Sequence, residues 1–405
     1  MRLPGLLHAL HAPRYRRYFA GQAVSILGTW LQTVAMSWLV YRLTGSATLL
    51  GTTAFLAQSP QLLVSPLAGP LIDRWDKRRM FLIVQSGMVT QAVILAGLTA
   101  SGLLVPWHLI LLAGVFGLFN AVDVPLRQSM LAGLVDDRAM LRNAIALNAS
   151  LFNGARFVGP PLAGAILAAT SEAVCFGLNA LSFLAVALAV ASLPAQPASG
   201  PSSGLLTALR DGLRFAITSL PIRRLLLGVA ALNATGSAFM VLMPVVAKDV
   251  FSGTVETLGW LLGASGAGAL VGTLLVASRK NTCQLVRLIV LGWCLAAGNL
   301  ALLAGTGWLS LAMLASLGIG MGITAVNVST NALLQSLAPD SLRGRVMSSF
   351  TALRFGMDAV GGLMAGWLTH QFGVSPVLAA EAALVTAGTL WMWSRSASIR
   401  QGAKP

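Results

Sequence analysis

The sequence predicts an all-α integral membrane protein, with twelve transmembrane helices arranged as two pseudo-symmetric six-helix bundles. Three observations predict it. The 405 residues are 56% hydrophobic and only 10% charged, with a mean hydropathy of +0.78, and the apolar residues fall in runs near the roughly 20 that a helix needs to cross a bilayer. The runs divide six and six around a polar segment. Short strings in the first half recur in the second: Ala121-Val-Asp-Val124 as Ala325-Val-Asn-Val328, Val158-Gly-Pro-Pro-Leu-Ala-Gly164 as Val360-Gly-Gly-Leu-Met-Ala-Gly366, and Leu67-Ala-Gly69 as Leu270-Val-Gly272. Such a repeat, offset by about half the chain, is the signature of a transporter whose two bundles rock about a site between them.

Residues 1–17 read as a cytoplasmic amphipathic lead-in rather than a cleaved signal, because His8, His11, Pro13 and three arginines interrupt the short Leu-rich run and no small-residue cleavage site follows. The predicted spans of the N-terminal bundle (18–193) run about 18–41, 47–72, 80–100, 107–131, 143–168 and 173–193. A cytoplasmic linker (194–222) opens with Pro and Ser, and its 205–220 stretch sets five leucines against Arg210, Asp211 and Arg214, as an interfacial helix would. The spans of the C-terminal bundle (223–394) run about 225–246, 258–277, 285–304, 308–334, 346–369 and 377–393, and 395–405 forms a tail. Alternate loops hold nearly all the Lys and Arg, among them Arg74–Arg79, Arg138 and Arg142, Arg279–Arg287, and Arg343 and Arg345. The positive-inside rule places those loops and both termini in the cytoplasm. Trp107, Trp260 and Trp308 fall near span ends, as interfacial aromatics do.

The formal net charge of +15 would point to nucleic acid in a soluble protein. With the basic residues lying between apolar spans, it reads instead as topology and contact with anionic lipid headgroups. Cys175, Cys283 and Cys294 show no metal or disulfide spacing, and the loops hold no nucleophile–base set or phosphate loop. No cofactor, no metal and no enzymatic activity are expected.

Ionisable residues inside spans are costly and are functional candidates by default. Asp123 and Arg127 lie four apart in span four and can pair; they read as part of a cytoplasmic charge network that latches the closed state, with substrate contact as the alternative. Arg156 and Asp358 occupy equivalent places in the two repeats, about thirteen residues into their spans, roughly 20 Å deep at 1.5 Å per residue. Arg354 lies one turn from Asp358, either as a neutralised pair or as part of a cationic pathway for an anionic substrate. Glu381 in span twelve reads as structural, and His108 and His370 as interfacial. In span five, Gly154, Gly159, Pro160 and Gly164 form a helix-packing motif whose small residues permit close contact and whose prolines bend the helix.

Gly69 to Arg79, read as Gly-Pro-Leu-Ile-Asp-Arg-Trp-Asp-Lys-Arg-Arg, resembles the loop between helices two and three of the major facilitator superfamily, with Asp76 where that pattern has Gly. The resemblance implies a gating role for Gly69, Asp73, Arg74 and Arg78. The Gly-Pro string of span five is similar to a motif of the superfamily's antiporters associated with export. Tyr15-Arg-Arg-Tyr-Phe-Ala-Gly-Gln22, Trp38-Leu-Val-Tyr-Arg-Leu-Thr-Gly-Ser46, Asn143-Ala-Ile-Ala-Leu-Asn148 and Leu342-Arg-Gly-Arg-Val-Met-Ser348 look like the enterobactin-exporter-like branch, the transmembrane secretion effectors. That branch implies a monomer with alternating access and efflux driven by an ion gradient. Its cavity would be lined by helices one, four, seven and ten, which brings in Gln32, Asn120, Asn233 and Asn327. Span one carries Gln22, Thr29, Gln32 and Thr33 but no acid, where many proton-coupled drug exporters of the superfamily have one. This leaves Asp358 and Asp123 as proton carriers. The expected function is proton-coupled export of a small organic molecule, a siderophore, across a bacterial inner membrane. Multidrug efflux of macrolide-like compounds and lysolipid flipping are the alternatives.

Overall fold

The computed structural model describes residues 7–135, 137–197, 214–215, 217–279 and 281–402, with the side chains at 63, 65–71, 73, 138–139, 340–341 and 397–402 outside that description. Every regular element among them is helical. The first half holds α1 (Pro13–Thr44), α2 (Ala47–Arg74), α3 (Lys77–Ala100), α4 (Pro106–Met130), α5 (Arg138–Ala169) and α6 (Glu172–Ala191). The second holds α7 (Leu220–Thr235), α8 (Phe239–Val245), α9 (Val255–Ala277), α10 (Thr282–Gly305), α11 (Leu309–Leu337), α12 (Asp340–Phe372) and α13 (Val374–Gly402). The predicted seventh span is thus broken: α7 ends at Gly236, α8 contains Pro244, and a π turn follows over Val246–Val250. Most of the predicted interfacial helix at 205–220 lies outside the described residues.

Polar caps set the helix starts. Ser46, Asp76, Asp137, Ser171 and Asn281 each accept a hydrogen bond from a backbone N–H in the turn that follows, satisfying donors that have no intrahelical partner. This accounts for the departure at Asp76, which caps α3 by accepting from the Arg79 N–H at 2.8 Å. The described end of the lead-in packs on the first half. A 3₁₀ turn over His8–His11 lies against α5, where the Ala9 N–H donates to Asn143 Oδ1 at 2.8 Å and the Tyr15 hydroxyl donates to the Ala144 carbonyl at 2.9 Å.

The packing repeats by halves. In the first, α1 packs on α5 and α6, α3 on α4 and α6, and α2 on α4; in the second, α7 packs on α12 and α13, α10 on α11 and α13, and α9 on α11. Between halves, α2 crosses α12 and α5 crosses α9, a pair of contacts that one two-fold operation exchanges. Nine helical stretches are long and apolar enough to span a bilayer among the described residues, and the long helices outside that set are α2, α5 and α12. Each of the three packs on the opposite half, through the α2–α12 or the α5–α9 crossing, where protein replaces part of the lipid contact.

The halves meet at one end. At the far end, where α1 gives way to α2 and α5 to α6, one continuous apolar core runs from Leu31, Leu50 and Leu167 of the first half into Leu242, Val246 and Leu258 of the second. At the near end, where α1 begins and α13 ends, a second core built on Tyr15, Phe81, Met130 and Phe183 belongs to the first half alone. The exposed Trp107, Trp260 and Trp308 all lie at the far end, where rings of this kind favour the membrane boundary.

Candidate functional site

Three mid-helix charges come together where the halves part. Arg156 projects from α5 and lies 3.6 Å from Met240 Sδ of α8, and it feels the charges of both Arg354 and Asp358 on α12. The Arg156 backbone carbonyl packs on Gly266 of α9, and Gly356 of α12 packs on the Leu62 side chain of α2. The break in the seventh span supplies the polar surround. Asn233 donates from Nδ2 to Asn327 Oδ1 at 3.2 Å, and the Ser237 hydroxyl lies 3.3 Å from Asn233 Oδ1 and also interacts with the Asp358 carboxyl.

No contact ion pair neutralises this cluster among the described residues. Arg354 and Asp358 sit one turn apart, yet the Arg354 guanidinium lies 5.0 Å from the centroid of the Phe355 ring. Arg354 Nε and Asp358 Oδ1 are buried with no hydrogen-bond partner among the described residues. A buried polar atom in that condition costs about 1–3 kcal/mol. A donor and an acceptor left open on adjacent turns can be satisfied by an incoming group that carries both an anionic oxygen and an O–H or N–H.

The other predicted residues divide by location. Asp123 and Arg127 pair as expected but within the first half: Arg127 also donates to Gln22 Oε1 on α1 and lies over the Phe81 ring, and Asp123 accepts from Gln85 Nε2 on α3 at 2.8 Å. Arg78 donates to the Ala191 carbonyl at the end of α6, again in its own half, and Arg74 is exposed. In this conformation these charges brace the first half through the contacts just given. The side chains at Gly69 and Asp73 lie outside the described residues. Gln32 is 3% exposed and is held between Gln91 and Asn179, so its amide is occupied inside the bundle; Asn120 is half-buried on α4. Arg127→Leu leaves the Asp123 carboxylate buried and uncompensated. It is expected to lower stability by about 3–5 kcal/mol, a fall in midpoint readable by thermal unfolding in detergent, with Asp123→Asn/Arg127→Leu recovering part of it.

The helix-packing motif works across the interface. A Cβ added at Gly164 would lie 3.2 Å from the Gly259 Cα, and one at Gly259 would lie 2.9 Å from the Pro160 carbonyl. Gly159 seats Trp30 of its own half, and Gly154 meets nothing within 4 Å. The partner glycines Gly259, Gly263 and Gly266 on α9, at small-residue spacing, carried a signal that pattern reading of span five alone missed. Ser237, four residues from Asn233 beside the Gly236 break, was legible in the same way.

A further contact between halves closes the far end. The Tyr41 hydroxyl of α1 donates to the Asp249 carboxylate, with Lys248 Nζ 5.3 Å from the Tyr41 ring centroid. They border a cavity of about 210 Å³ shared with Thr369 and His370. Tyr41→Phe removes a hydrogen bond worth about 1 kcal/mol. With Cys283 and Cys294 replaced by serine and Cys175 buried, maleimide labelling of a cysteine placed at Thr369 is expected to quicken about fivefold.

Comparison with known proteins gives a family and relatives. A family model described as transmembrane secretion effector matches residues 6–401. The staphyloferrin A transporter of Staphylococcus aureus is 28% identical over 271 residues, 64% of this chain and 66% of that protein. The enterobactin exporter of Shigella boydii is 27% identical over 378 residues, covering 91% and 88%. The multidrug efflux pump Tap of Mycolicibacterium fortuitum is 27% identical over 366 residues, covering 86% and 87%. Among solved structures, a peptide transporter superposes with a TM-score of 0.76 at 11% identity, covering 96% of this chain and 95% of that one.

Proposed function

The chain belongs to the transmembrane secretion effector family of major facilitator transporters, and from that premise we propose that it exports a small anionic molecule, a siderophore, across a bacterial inner membrane in exchange for protons. The observation that carries this reading is the cluster at the interface that no contact ion pair neutralises among the described residues, one arginine from each half with the Asp358 carboxyl near enough to feel the charge of both. Arg156 and Arg354 take the anionic oxygens of the substrate from opposite sides, so binding draws on both bundles. An O–H or N–H of the substrate and a proton are alternatives at the open Asp358 oxygen. A proton arriving there on the outer side removes the acceptor and releases the substrate; its loss on the inner side restores the acceptor. Molecules that chelate iron through carboxylates and hydroxyls present both kinds of group. Relatives named for siderophore transport support the same reading.

The test is untargeted mass spectrometry on cells and medium of a deletion strain and its parent under iron starvation. An iron-chelating metabolite held in the mutant cells and missing from their medium is the expected result. Unchanged secretion would overturn the siderophore assignment. The second reading, multidrug efflux, is favoured by the likeness to Tap and by Met240 and Phe355 beside the charges, since Met and aromatic surfaces adapt to varied shapes. Raised drug sensitivity of the deletion strain, with drug uptake in everted vesicles, would favour it.

A further inference from the structure

A second site lies away from the interface, at the near end of the first half. The start of α1, the start of α3, the end of α4 and the segment after α6 enclose a cleft of about 430 Å³. Arg14 and Lys77 line it, with Ser129 and the Gln196 side chain, and no acid does. Its walls are fixed: the Lys77 backbone N–H donates to the Gln196 carbonyl at 3.0 Å, and Gly133 leaves the space that the Gln196 amide fills, since a Cβ there would lie 2.8 Å from Gln196 Cδ. Neither Arg14 nor Lys77 is paired with an acid among the described residues. Arg16, Arg17, Arg74 and Arg79 are exposed on the same end, as is Trp75, two residues before Lys77. The apolar length of α1, α3, α4 and α6 begins directly behind these groups, which puts the cleft at the level of the headgroups.

We propose that this cleft binds the phosphate of an anionic phospholipid headgroup from the adjoining leaflet. Basic pockets between helices at the membrane surface hold such headgroups. Two cations with no acid between them suit a phosphodiester; the Ser129 hydroxyl, which donates to the Leu126 carbonyl at 2.8 Å and can still accept, and the Gln196 amide suit a glycerol; and the exposed apolar helix flanks suit the acyl chains. Because the cleft joins four separate pieces of the chain, an occupant ties the segment leading to the linker onto the first bundle.

The experiment uses the full-length protein and measures binding of dioleoyl phosphatidylglycerol by native mass spectrometry, against dioleoyl phosphatidylcholine. The expected result is that Arg14→Ala/Lys77→Ala weakens phosphatidylglycerol binding about thirtyfold, at about 1 kcal/mol per cation near a membrane surface, while Arg279→Ala/Arg287→Ala, which removes the same two charges from exposed positions of the second half, changes it less than twofold. Equal losses in the two variants would mean diffuse attraction and would overturn the site. Inorganic phosphate that displaces the lipid at millimolar concentration would make it a soluble-anion site and overturn the lipid assignment. Lipid binding in the double variant at the parent level would also overturn it.

Discussion

Arg156→Ala is expected to raise the KM for export about 10- to 100-fold, and Asp358→Asn to abolish gradient-driven export while leaving downhill exchange. The two effects differ in kind because the residues do. Arg156 is the first half's charge in a cluster otherwise supplied by α8 and α12, and a charge-assisted hydrogen bond to a substrate oxygen is worth about 1.5–3 kcal/mol. Arg156→Lys keeps the charge but not the two-pronged geometry and is expected to recover only part of the loss. Asp358→Asn keeps the size and one acceptor but cannot carry a proton. The mutant should therefore still exchange labelled for unlabelled siderophore across a vesicle membrane, and its residual flux should lose the pH dependence seen in the parent. A merely structural role for Asp358 would lower exchange and gradient-driven export together. Unchanged transport in both variants would remove the cluster from the pathway.

The sequence showed the helices, the repeat and the depth of Arg156 and Asp358, because apolar length and internal offset are local properties of the chain. It did not show which buried polar groups meet. Gln32 and Asn233 are both side-chain amides in the first span of their halves, yet Gln32 is occupied by Gln91 and Asn179 inside its bundle while Asn233 connects through Ser237 toward Asp358. The difference lies in the partners on other helices and in the break at Gly236, which turns the seventh span where the first stays continuous. The Asp123–Arg127 pair was legible from its i,i+4 spacing, but Gln22 and Gln85, which hold it inside the first half, come from α1 and α3. The Tyr41–Asp249 contact joins residues 208 apart, and no local pattern marks it.

Gly259→Leu is expected to open the far end. The glycines there set the distance between the halves. A side chain at Gly259 meets the Pro160 carbonyl and the Gly164 Cα, and one at Gly366 meets the Ala47 carbonyl at 2.5 Å and the Gly51 Cα at 3.0 Å. These are backbone atoms on the opposite half, so no rotamer change relieves the overlap and the helices must separate. Overpacking of this kind costs about 1–3 kcal/mol, which shifts the balance between closed and open far ends by roughly 5- to 150-fold. Maleimide labelling of a cysteine at Thr369 is expected to quicken by that factor, more than in Tyr41→Phe, because the hydrogen bond loses one contact while the wedge parts the α5–α9 crossing itself. Gly154→Leu is the control: it lies on α5, the helix that Gly259 packs against, a Cβ added there meets nothing within 4 Å, and labelling should stay at the parent rate. Equal rates in Gly259→Leu and Gly154→Leu would mean that the glycine contacts do not hold the far end closed. If they do hold it, the two crossings are the closed gate, and the charged cluster at their inner margin is where a substrate entering from the near end is stopped.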